Sequence, residues 1–159
     1  MQEQRSKRVS DSRTEQIQAV MPQHANGMGN LFGGQLVAWI DVVGGLVARR
    51  HSNCNVTTAS IDNLNFKKPV SVQEFLVLVG QVTYVGRTSM EVRVDTFTER
   101  LDGMRRLVNR AYLTFVALDG DGKPTEVPRL ELETEAEKYE WDSGVKRAEL
   151  RRQRRIEQY

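Results

Sequence analysis

NLFGGQLVAWIDVVGGLVA, residues 30–48, is the longest apolar stretch of the chain and decides its fold. A helix built on this stretch is apolar on every side over residues 36–48, apart from Asp41. Such a helix is buried, because a surface helix shows one polar side. The sequence therefore predicts a central buried helix from about Gly34 to Arg50.

Asp41 is the only charged residue between His24 and Arg49. An ionised carboxylate on a buried helix is costly unless it is paired, hydrogen-bonded or placed at a cleft. Groups in such surroundings cluster at functional sites, so Asp41 is the first candidate for chemistry. The competing interpretation is a structural carboxylate that caps a backbone group or pairs with a partner subunit.

The apolar residues follow a different pattern after this helix. Their period changes from 3.6 to 2, and Val, Thr and aromatic residues become frequent, which favours strands. We predict a first strand within 12–21 and four later strands at 56–66, 75–85, 89–100 and 105–118. No helical segment separates the later strands, so the sheet should be antiparallel. The sequence thus predicts an α+β domain with the sheet wrapped on one buried helix.

Length and composition set the organisation of the chain. Its 159 residues fit one domain. We predict a disordered N-terminus over 1–10, a globular domain over 11–128 and a charged tail over 129–159, helical between about 133 and 155. The single cysteine, Cys54, excludes an intrachain disulfide and suits a reducing cytoplasm. There is no signal peptide and no membrane-spanning apolar run, so a cytoplasmic protein without membrane association is predicted.

Several function classes are excluded by what the sequence lacks. A net charge of +2 is too small for a strongly basic nucleic-acid-binding protein. The serine-hydrolase elbow is absent, and the glycines before the helix do not have the spacing of a dinucleotide loop. Asp119–Gly122 is expected to be a turn rather than a calcium loop. With two histidines and one cysteine, we predict no metal site.

Three positions form a candidate site for acyl transfer: Asn26, Gly33-Gly34 and Asp41. Glycines in the first turn of a helix leave backbone N–H groups unpaired, with the positive end of the helix dipole behind them. A substrate carbonyl can approach these groups because no Cβ stands in the way. Asp41, two turns further along, can deprotonate a water, and Asn26 can orient that water or polarise the carbonyl. Such a set suits hydrolysis of an activated acyl group.

Three ordered blocks of the sequence resemble a known family. They are MPQHANGMGNLFGGQLVAWIDVVGGLVARRH, VTTASIDNLNFKKPV and VGRTSMEV, within residues 14–118. The chain resembles the hotdog-fold acyl-CoA thioesterases of the cytosolic acyl-CoA hydrolase group. The resemblance implies a hotdog fold, which is a five-stranded antiparallel sheet around one long helix, and hydrolysis of acyl-CoA to a free acid and CoA. It implies no cofactor, since CoA is part of the substrate.

The resemblance also assigns roles to individual residues. The catalytic pair of the family falls on Asn26 and Asp41, brought together from different protomers, and Gly34 supplies the N–H for the thioester oxygen. The positions implied to contact CoA are Gly33, Phe66, Lys67, Lys68, Gly86, Arg87, Thr88 and Ser89. The cationic side chains among them suit the phosphates of CoA. In this family two protomers pair edge to edge, which implies at least a homodimer and commonly a hexamer built as a trimer of dimers.

The sequence leaves alternatives open. Asp41 acts either as a general base or as a nucleophile that forms an acyl-enzyme anhydride. A hotdog hydratase or dehydratase would need an Asp/His or Glu/His pair, for which His24 is the only nearby histidine. A non-catalytic acyl-CoA sensor or carrier would bind CoA esters without turnover. A structural module that builds an oligomer is opposed by Asp41, the only acid expected to be buried.

Overall fold

A curled sheet around one long helix dominates the computed structural model, which describes residues 6–62 and 64–159. The helix, α2, spans Gly33–Ser52. The other elements are, in chain order, β1 (Ser6–Arg8), α1 (Val9–Ser12), β2 (Thr14–Ala19), β3 (Asn55–Asp62), β4 (Phe75–Val85), β5 (Ser89–Glu99), β6 (Arg105–Leu118), β7 (Arg129–Glu131) and α3 (Glu135–Glu157). The predicted central helix and long strands are confirmed, with small shifts at their ends.

The five long strands form one sheet in the order β2–β4–β5–β6–β3, and every pair is antiparallel. The predicted α+β architecture is therefore confirmed. Because β3 is last in this order, it is an edge strand, and within the described residues no strand pairs with its other side. An open edge presents unpaired backbone groups to any second strand that approaches it.

The helix α2 lies against the concave face of the sheet. Its residues Ile40, Val43 and Val47 are buried in one core with Val92 of β5. The two layers approach closely at Gly80, where a Cβ would lie 2.9 Å from the side chain of Val47. This close packing holds the helix at a fixed position against the sheet, which in turn sets the position of every residue along α2.

The prediction that α2 is buried on every side is wrong for a single chain. Val42 is 61% exposed and Leu46 is 38% exposed. The sheet curls around one side of the helix only, so the apolar side chains on the other side lie open. Exposed apolar side chains beside an open strand edge are typical of a surface that binds another protein chain.

The N-terminal segment differs from the predicted disorder over residues 1–10. Residues 6–8 form β1, which pairs in parallel with β7. Lys7 Nζ donates hydrogen bonds to Arg50 O at 2.6 Å and to Asn53 Oδ1 at 2.8 Å. These bonds satisfy polar groups at the C-terminal end of α2, which is the physical reason for a defined conformation here. Residues 1–5 of that prediction lie outside the described residues.

The charged tail is helical, as predicted, and α3 lies across the convex face of the sheet. At its N-terminal end Trp141 contacts Tyr84 of β4, with ring centroids 4.8 Å apart. Further along, Arg147 reaches β5 and Arg151 reaches the edge strand β3. The division of the chain at residue 128 stays a prediction. In the part of the chain that the structure describes, no helix is long and apolar enough to cross a membrane.

Candidate active site

Asn26 lies in the loop before α2 and is held by the backbone of that loop. Its Oδ1 accepts hydrogen bonds from the N–H of Met28 at 2.9 Å and of Asn30 at 3.2 Å. Its own backbone N–H donates to Asn30 O at 2.7 Å. Because these bonds occupy the side-chain oxygen, the Nδ2 amide is the part that can meet a ligand, as a hydrogen-bond donor. The residue is exposed, so a ligand can reach it.

The first turn of α2 offers backbone donors at Gly33 and Gly34. Hydrogen bonding at this end begins with Gln35 N–H, which donates to Phe32 O at 3.0 Å. Within residues 6–62 and 64–159 neither glycine N–H has a partner, so both are the free donors expected at the start of a helix, with the positive end of its dipole behind them. A Cβ on Gly34 would lie 2.6 Å from the ring of Phe32. A Cβ on Gly33 would lie 3.5 Å from the ring of Phe66. Two aromatic rings thus flank the donors.

Asp41 lies two turns into α2 and is hydrogen-bonded to the edge strand. Thr58 Oγ1 donates to Asp41 Oδ1 at 2.7 Å. The pairing of β3 with β6 shifts register between Thr58 and Ser60. An irregularity of this kind changes the direction in which a side chain points, and here Thr58 faces the helix. Asp41 is half-buried, so water can reach its carboxylate.

One chain does not bring the three predicted catalytic positions together. Asp41 follows Gly34 by seven residues, which places it about 10 Å further along the helix axis. The Gly34 N–H points the other way, toward the start of the helix. Within residues 6–62 and 64–159, no hydrogen bond joins Asn26 to Asp41. A carbonyl bound at Gly34 is therefore beyond the reach of Asp41 on the same helix.

Four of the predicted CoA-binding positions form the turn between β4 and β5: Gly86, Arg87, Thr88 and Ser89. The turn is closed by a hydrogen bond from Gly86 N–H to Ser89 O at 2.9 Å. It is tied to the chain after β6 by Val127 N–H, which donates to Arg87 O at 3.0 Å. The guanidinium of Arg87 is exposed and lies 3.7 Å from Glu126. The turn is thus held in shape by its backbone, while its cation is open to solvent.

Three further predicted positions lie exposed in the segment after β3: Phe66, Lys67 and Lys68. This segment is at the other end of the sheet. Asn65 O accepts a hydrogen bond from Asn109 of β6 at 2.6 Å, whereas Ser89 pairs with Val116 of the same strand. The stretch of β6 between these two points is about 23 Å long, at roughly 3.3 Å per residue. Within one chain, the two sets of CoA-binding positions are therefore far apart.

Comparison with other proteins identifies the family. The sequence profile of the Thioesterase superfamily matches residues 28–103. A Bacillus subtilis (strain 168) protein named as an uncharacterized acyl-CoA thioester hydrolase is 40% identical over 146 residues, which cover 91% of this chain and 85% of that protein. The chain belongs to the acyl-CoA thioesterases of this superfamily.

Solved structures confirm the predicted hotdog fold of this thioesterase. An acyl-CoA hydrolase from Staphylococcus aureus, solved with butyryl-CoA, CoA and CoA disulfide, superposes with a TM-score of 0.92 at 38% identity. The match covers 96% of the thioesterase described here and 94% of that chain. A hexameric acyl-CoA thioesterase superposes with a TM-score of 0.90 at 43% identity, over 94% of this chain and 97% of that one.

Two residues of this thioesterase that contact the candidate positions were not predicted from the sequence, Thr58 and Phe32. Thr58 belongs to a Val- and Thr-rich segment whose pattern indicated a strand and nothing more. Its direction depends on the register shift against β6, which leaves no signal in the local sequence. Phe32 directly precedes the two glycines, and its position over Gly34 follows from the helix start rather than from any motif.

His24, the candidate for a hydratase-type pair, has a structural role in this thioesterase. Its Nδ1 accepts a hydrogen bond from Met21 N–H at 3.1 Å. Its ring packs edge-on against Trp39, with centroids 4.9 Å apart. Both contacts hold the loop that carries Asn26. Across the described residues, no group of three or more His, Cys, Asp or Glu side chains is arranged to hold a metal ion.

The expectation that Asp41 is the only buried acid of this thioesterase is wrong, since Asp41 is half-buried and another acid is fully buried. Glu91 is 1% exposed beneath α3. Its carboxylate accepts hydrogen bonds from Arg147 at 2.8 and 2.9 Å, from Arg151 at 2.9 Å and from Thr83 at 2.7 Å. Burial raises the pKa of Glu91, but these hydrogen bonds outweigh burial and hold the pKa below its ordinary value. A buried acid here is therefore not by itself a sign of catalysis.

Proposed function

We propose that the protein hydrolyses acyl-CoA to a free acid and CoA, with Asp41 as the general base. A water held by the carboxylate attacks the thioester carbonyl carbon and gives a proton to Asp41. The oxygen of the tetrahedral intermediate accepts hydrogen bonds from Gly34 N–H and Asn26 Nδ2. The C–S bond then breaks, and the CoA sulfur leaves with the proton from Asp41. The observation that carries the proposal is the Gly34 N–H, which has no partner among the described residues and lies at the start of a helix whose only acid is Asp41.

The hydrogen bonds of Asn26 favour one of its two predicted roles. To orient a water through its oxygen, the side chain would need a free Oδ1, but that atom already accepts from two backbone N–H groups. The Nδ2 amide is a donor only. A donor suits the thioester oxygen, on which negative charge develops as the water attacks. We therefore infer that Asn26 acts on the carbonyl together with Gly34.

A second copy of the chain supplies the other half of each site. The base and the oxyanion donor of one helix lie about 10 Å apart and the donor points away from the base. The open edge of β3 and the exposed Val42 and Leu46 are the features that support pairing with a second copy. Two-fold pairing along this edge sets the two α2 helices antiparallel. Asp41 of one copy then faces Gly34 and Asn26 of the other.

Variants of the Staphylococcus aureus enzyme support the choice of residues. That enzyme has been solved with single alanine substitutions at an asparagine, an aspartate and a threonine. In its chain the asparagine and the aspartate are 15 residues apart, and the aspartate and the threonine are 17 residues apart. Asn26, Asp41 and Thr58 have the same two spacings here. The agreement supports the predicted pair and adds Thr58 to the site.

The same two-fold pairing forms the groove for CoA. Antiparallel pairing along β3 lays the end of one strand beside the beginning of the other. Phe66, Lys67 and Lys68 of one copy then come near the turn 86–89 of the other, although they are far apart in one chain. We infer that these residues, with Gly33 beside Phe66, line one CoA groove. The two lysines and the exposed arginine of the turn are the proposed partners of the phosphates.

A larger assembly and a cytoplasmic location complete the proposal. A two-fold interface closes after two copies, so a hexamer needs a second kind of contact between dimers. The thioesterase that superposes with a TM-score of 0.90 is hexameric, which supports a trimer of dimers. The cytoplasmic location rests on the sequence prediction and on acyl-CoA as the substrate.

The test of the proposed function is thiol release from acyl-CoAs with short, medium, long and aromatic acyl groups, followed with a chromogenic thiol reagent. We expect hydrolysis of at least one class by the wild-type protein. Asp41→Asn should lower kcat by about 100-fold or more, the order of effect seen when a group acting only in the transition state is removed. Asp142→Asn, at an exposed acid of α3, is the matched control and should be fully active.

Two outcomes would count against the proposal. Wild-type turnover in Asp41→Asn would remove Asp41 from the mechanism. No thiol release from any ester, by a protein that still binds CoA, would favour the sensor or carrier.

A further inference from the structure

A cavity of about 490 Å³ lies where α2 ends and β3 begins. It is lined by Leu46, Arg49, Arg50, Asn53, Cys54 and Asn55. Two guanidinium groups and two side-chain amides are present, and no acidic side chain is among the lining residues. Amide and guanidinium N–H groups are donors to anionic oxygens. The lining therefore suits an anion.

Arg49 is the lining residue whose cationic group is free to bind a ligand. Arg50 Nη1 donates to Thr14 Oγ1 at 2.9 Å, and Asn53 Oδ1 accepts from Lys7 Nζ at 2.8 Å. Arg49 is exposed, and its guanidinium makes no hydrogen bond or ion pair within the described ranges 6–62 and 64–159. Its fork of N–H donors is thus available to a phosphate.

The repulsion between an anion and the C-terminal end of the α2 dipole is reduced at this cavity. The C-terminal end of a helix carries partial negative charge on its last carbonyl groups. Here Arg49 O accepts from Asn53 N–H at 2.8 Å, and Arg50 O accepts from Lys7 Nζ at 2.6 Å. These bonds satisfy two of the carbonyls, and the ammonium group of Lys7 adds a positive charge beside them. The local charge around Arg49 is therefore positive.

The cavity lies at the end of the sheet that carries the turn proposed to contact CoA, and it borders the surface proposed to pair with a second copy, since Leu46 belongs to both. Arg49 follows Asp41 by eight residues, which is about 12 Å along α2. Ser89, Val116 and Thr57 form one row across β5, β6 and β3. The turn before Ser89 is thus two strand spacings, about 10 Å, from β3. A CoA ester held at Asp41 and extended toward this end of the sheet brings its phosphates toward the cavity.

We propose that Arg49 binds a phosphate group of CoA in this cavity and so selects CoA esters over thioesters that lack the nucleotide. The inference rests on the proposed function, since it takes acyl-CoA as the substrate. The phosphates are far from the reacting carbonyl, so the contact is equally strong in the bound substrate and in the transition state. Such a contact lowers KM and leaves kcat unchanged.

The test compares acyl-CoA with acyl-pantetheine carrying the same acyl group, in the wild type, Arg49→Gln and Arg152→Gln. Arg152 is an exposed arginine on α3 with a Glu149 partner at 2.9 Å, and it serves as the matched control. We expect Arg49→Gln to raise the KM for acyl-CoA about tenfold at unchanged kcat and to leave acyl-pantetheine hydrolysis unchanged. Arg152→Gln should match the wild type. Equal effects of Arg49→Gln on both esters, or none on either, overturn the proposal.

Equilibrium binding separates this proposal from the proposed function. Calorimetry with free CoA, dephospho-CoA and pantetheine needs no turnover, so weaker CoA binding by Arg49→Gln supports the proposal even if no ester is hydrolysed. A loss confined to CoA assigns the contact to the 3′-phosphate, and a loss shared with dephospho-CoA assigns it to the pyrophosphate. Unchanged CoA affinity, with an altered association state in sedimentation, assigns Arg49 to a subunit contact and overturns the proposal.

Discussion

Thr58 Oγ1 donates a 2.7 Å hydrogen bond to Asp41 Oδ1 and so joins the central helix to the edge strand of the sheet. The bond occupies one carboxylate oxygen and restrains the direction of the other. A base is effective only when its free oxygen points at the water it must deprotonate. The edge strand that positions the proposed base is also the strand along which we propose that a second copy pairs. In the proposed mechanism, assembly and catalysis are thus linked through one hydrogen bond.

Thr58→Val should lower kcat while leaving KM nearly unchanged. Valine keeps the shape of threonine but removes the hydroxyl, so Asp41 loses its restraint. Hydrogen bonds to charged groups contribute about 1.5–3 kcal/mol, which corresponds to a fall in kcat of roughly ten- to a hundredfold. The measurement is steady-state thiol release. Thr58→Ser restores a hydroxyl and should recover most of the rate; an inactive serine variant would show that the hydroxyl is not what matters.

Mixed dimers should regain activity that neither parent variant has. In a homodimer, Asp41→Asn or Asn26→Ala should inactivate both sites. If each site takes these two residues from different copies, a mixed dimer has one site with both substitutions and one site with neither. Random assembly after co-expression should return about a quarter of the wild-type rate, since half of the dimers are mixed and each mixed dimer has one intact site out of two. Differently tagged chains allow the mixed species to be purified. Persistent inactivity of that species would contradict a shared site.

Most of the fold could be predicted because periodicity is a local property. The apolar run before Arg49 and the alternation after Asn55 identify α2 and the strands without any knowledge of their partners. The exposure of Val42 and Leu46 could not be predicted in this way. The burial of an apolar side chain depends on the element that packs against it. The sheet packs against one side of α2 only, so the apolar side chains on the other side are exposed.

The part of the candidate site that lies on one helix could be predicted from the sequence. The donors at Gly34 and the acid at Asp41 follow from the start and the composition of one helix. The partner of Asp41, Thr58, depends on register between strands that are distant in the sequence. The burial of Glu91 depends on a charged helix that packs from the far end of the chain. Neither long-range contact leaves a mark on the local pattern.

The free energy of unfolding should fall as the pH decreases below about 6.5, because of His51. Burial lowers the pKa of His51, the nearby charges of Lys7 and Arg129 lower it further, and the contact with Pro128 O opposes them only in part. In the folded state the ring is neutral, with Nε2 donating to Pro128 O at 2.9 Å. Below its ordinary pKa the unfolded chain takes up a proton that the folded chain does not. The free energy of unfolding then falls with falling pH and is constant, for this group, above that range.

The measurement for His51 is urea unfolding at pH 7.5, 6.5 and 5.5. The slope should increase toward the acid end, and one proton taken up by the unfolded chain alone sets its upper limit at about 1.4 kcal/mol per pH unit. His51→Gln keeps an N–H donor for Pro128 and should flatten the slope. His24→Gln removes the other histidine and is the control. A slope that persists in His51→Gln and disappears in His24→Gln would assign the effect to His24 instead.

Glu91→Gln should release α3 from the convex face of the sheet. The substitution keeps the shape of the side chain but removes the charge that pairs with Arg147 and Arg151. Removing one partner from a buried ion pair costs about 3–5 kcal/mol. Arg147 and Arg151 each keep a second carboxylate, Glu140 at 3.8 Å and Asp62 at 2.8 Å, which places the loss at the lower end of that range. We expect a loss of this order in urea unfolding, and proteolysis that begins within α3. Glu149→Gln, at an exposed pair on the same helix, should leave stability and proteolysis unchanged.

Because Glu91 lies on the face opposite α2, kcat should be retained by the Glu91→Gln protein that remains folded. A large fall in kcat without a fall in stability would instead connect this buried acid to the chemistry on the other side of the sheet.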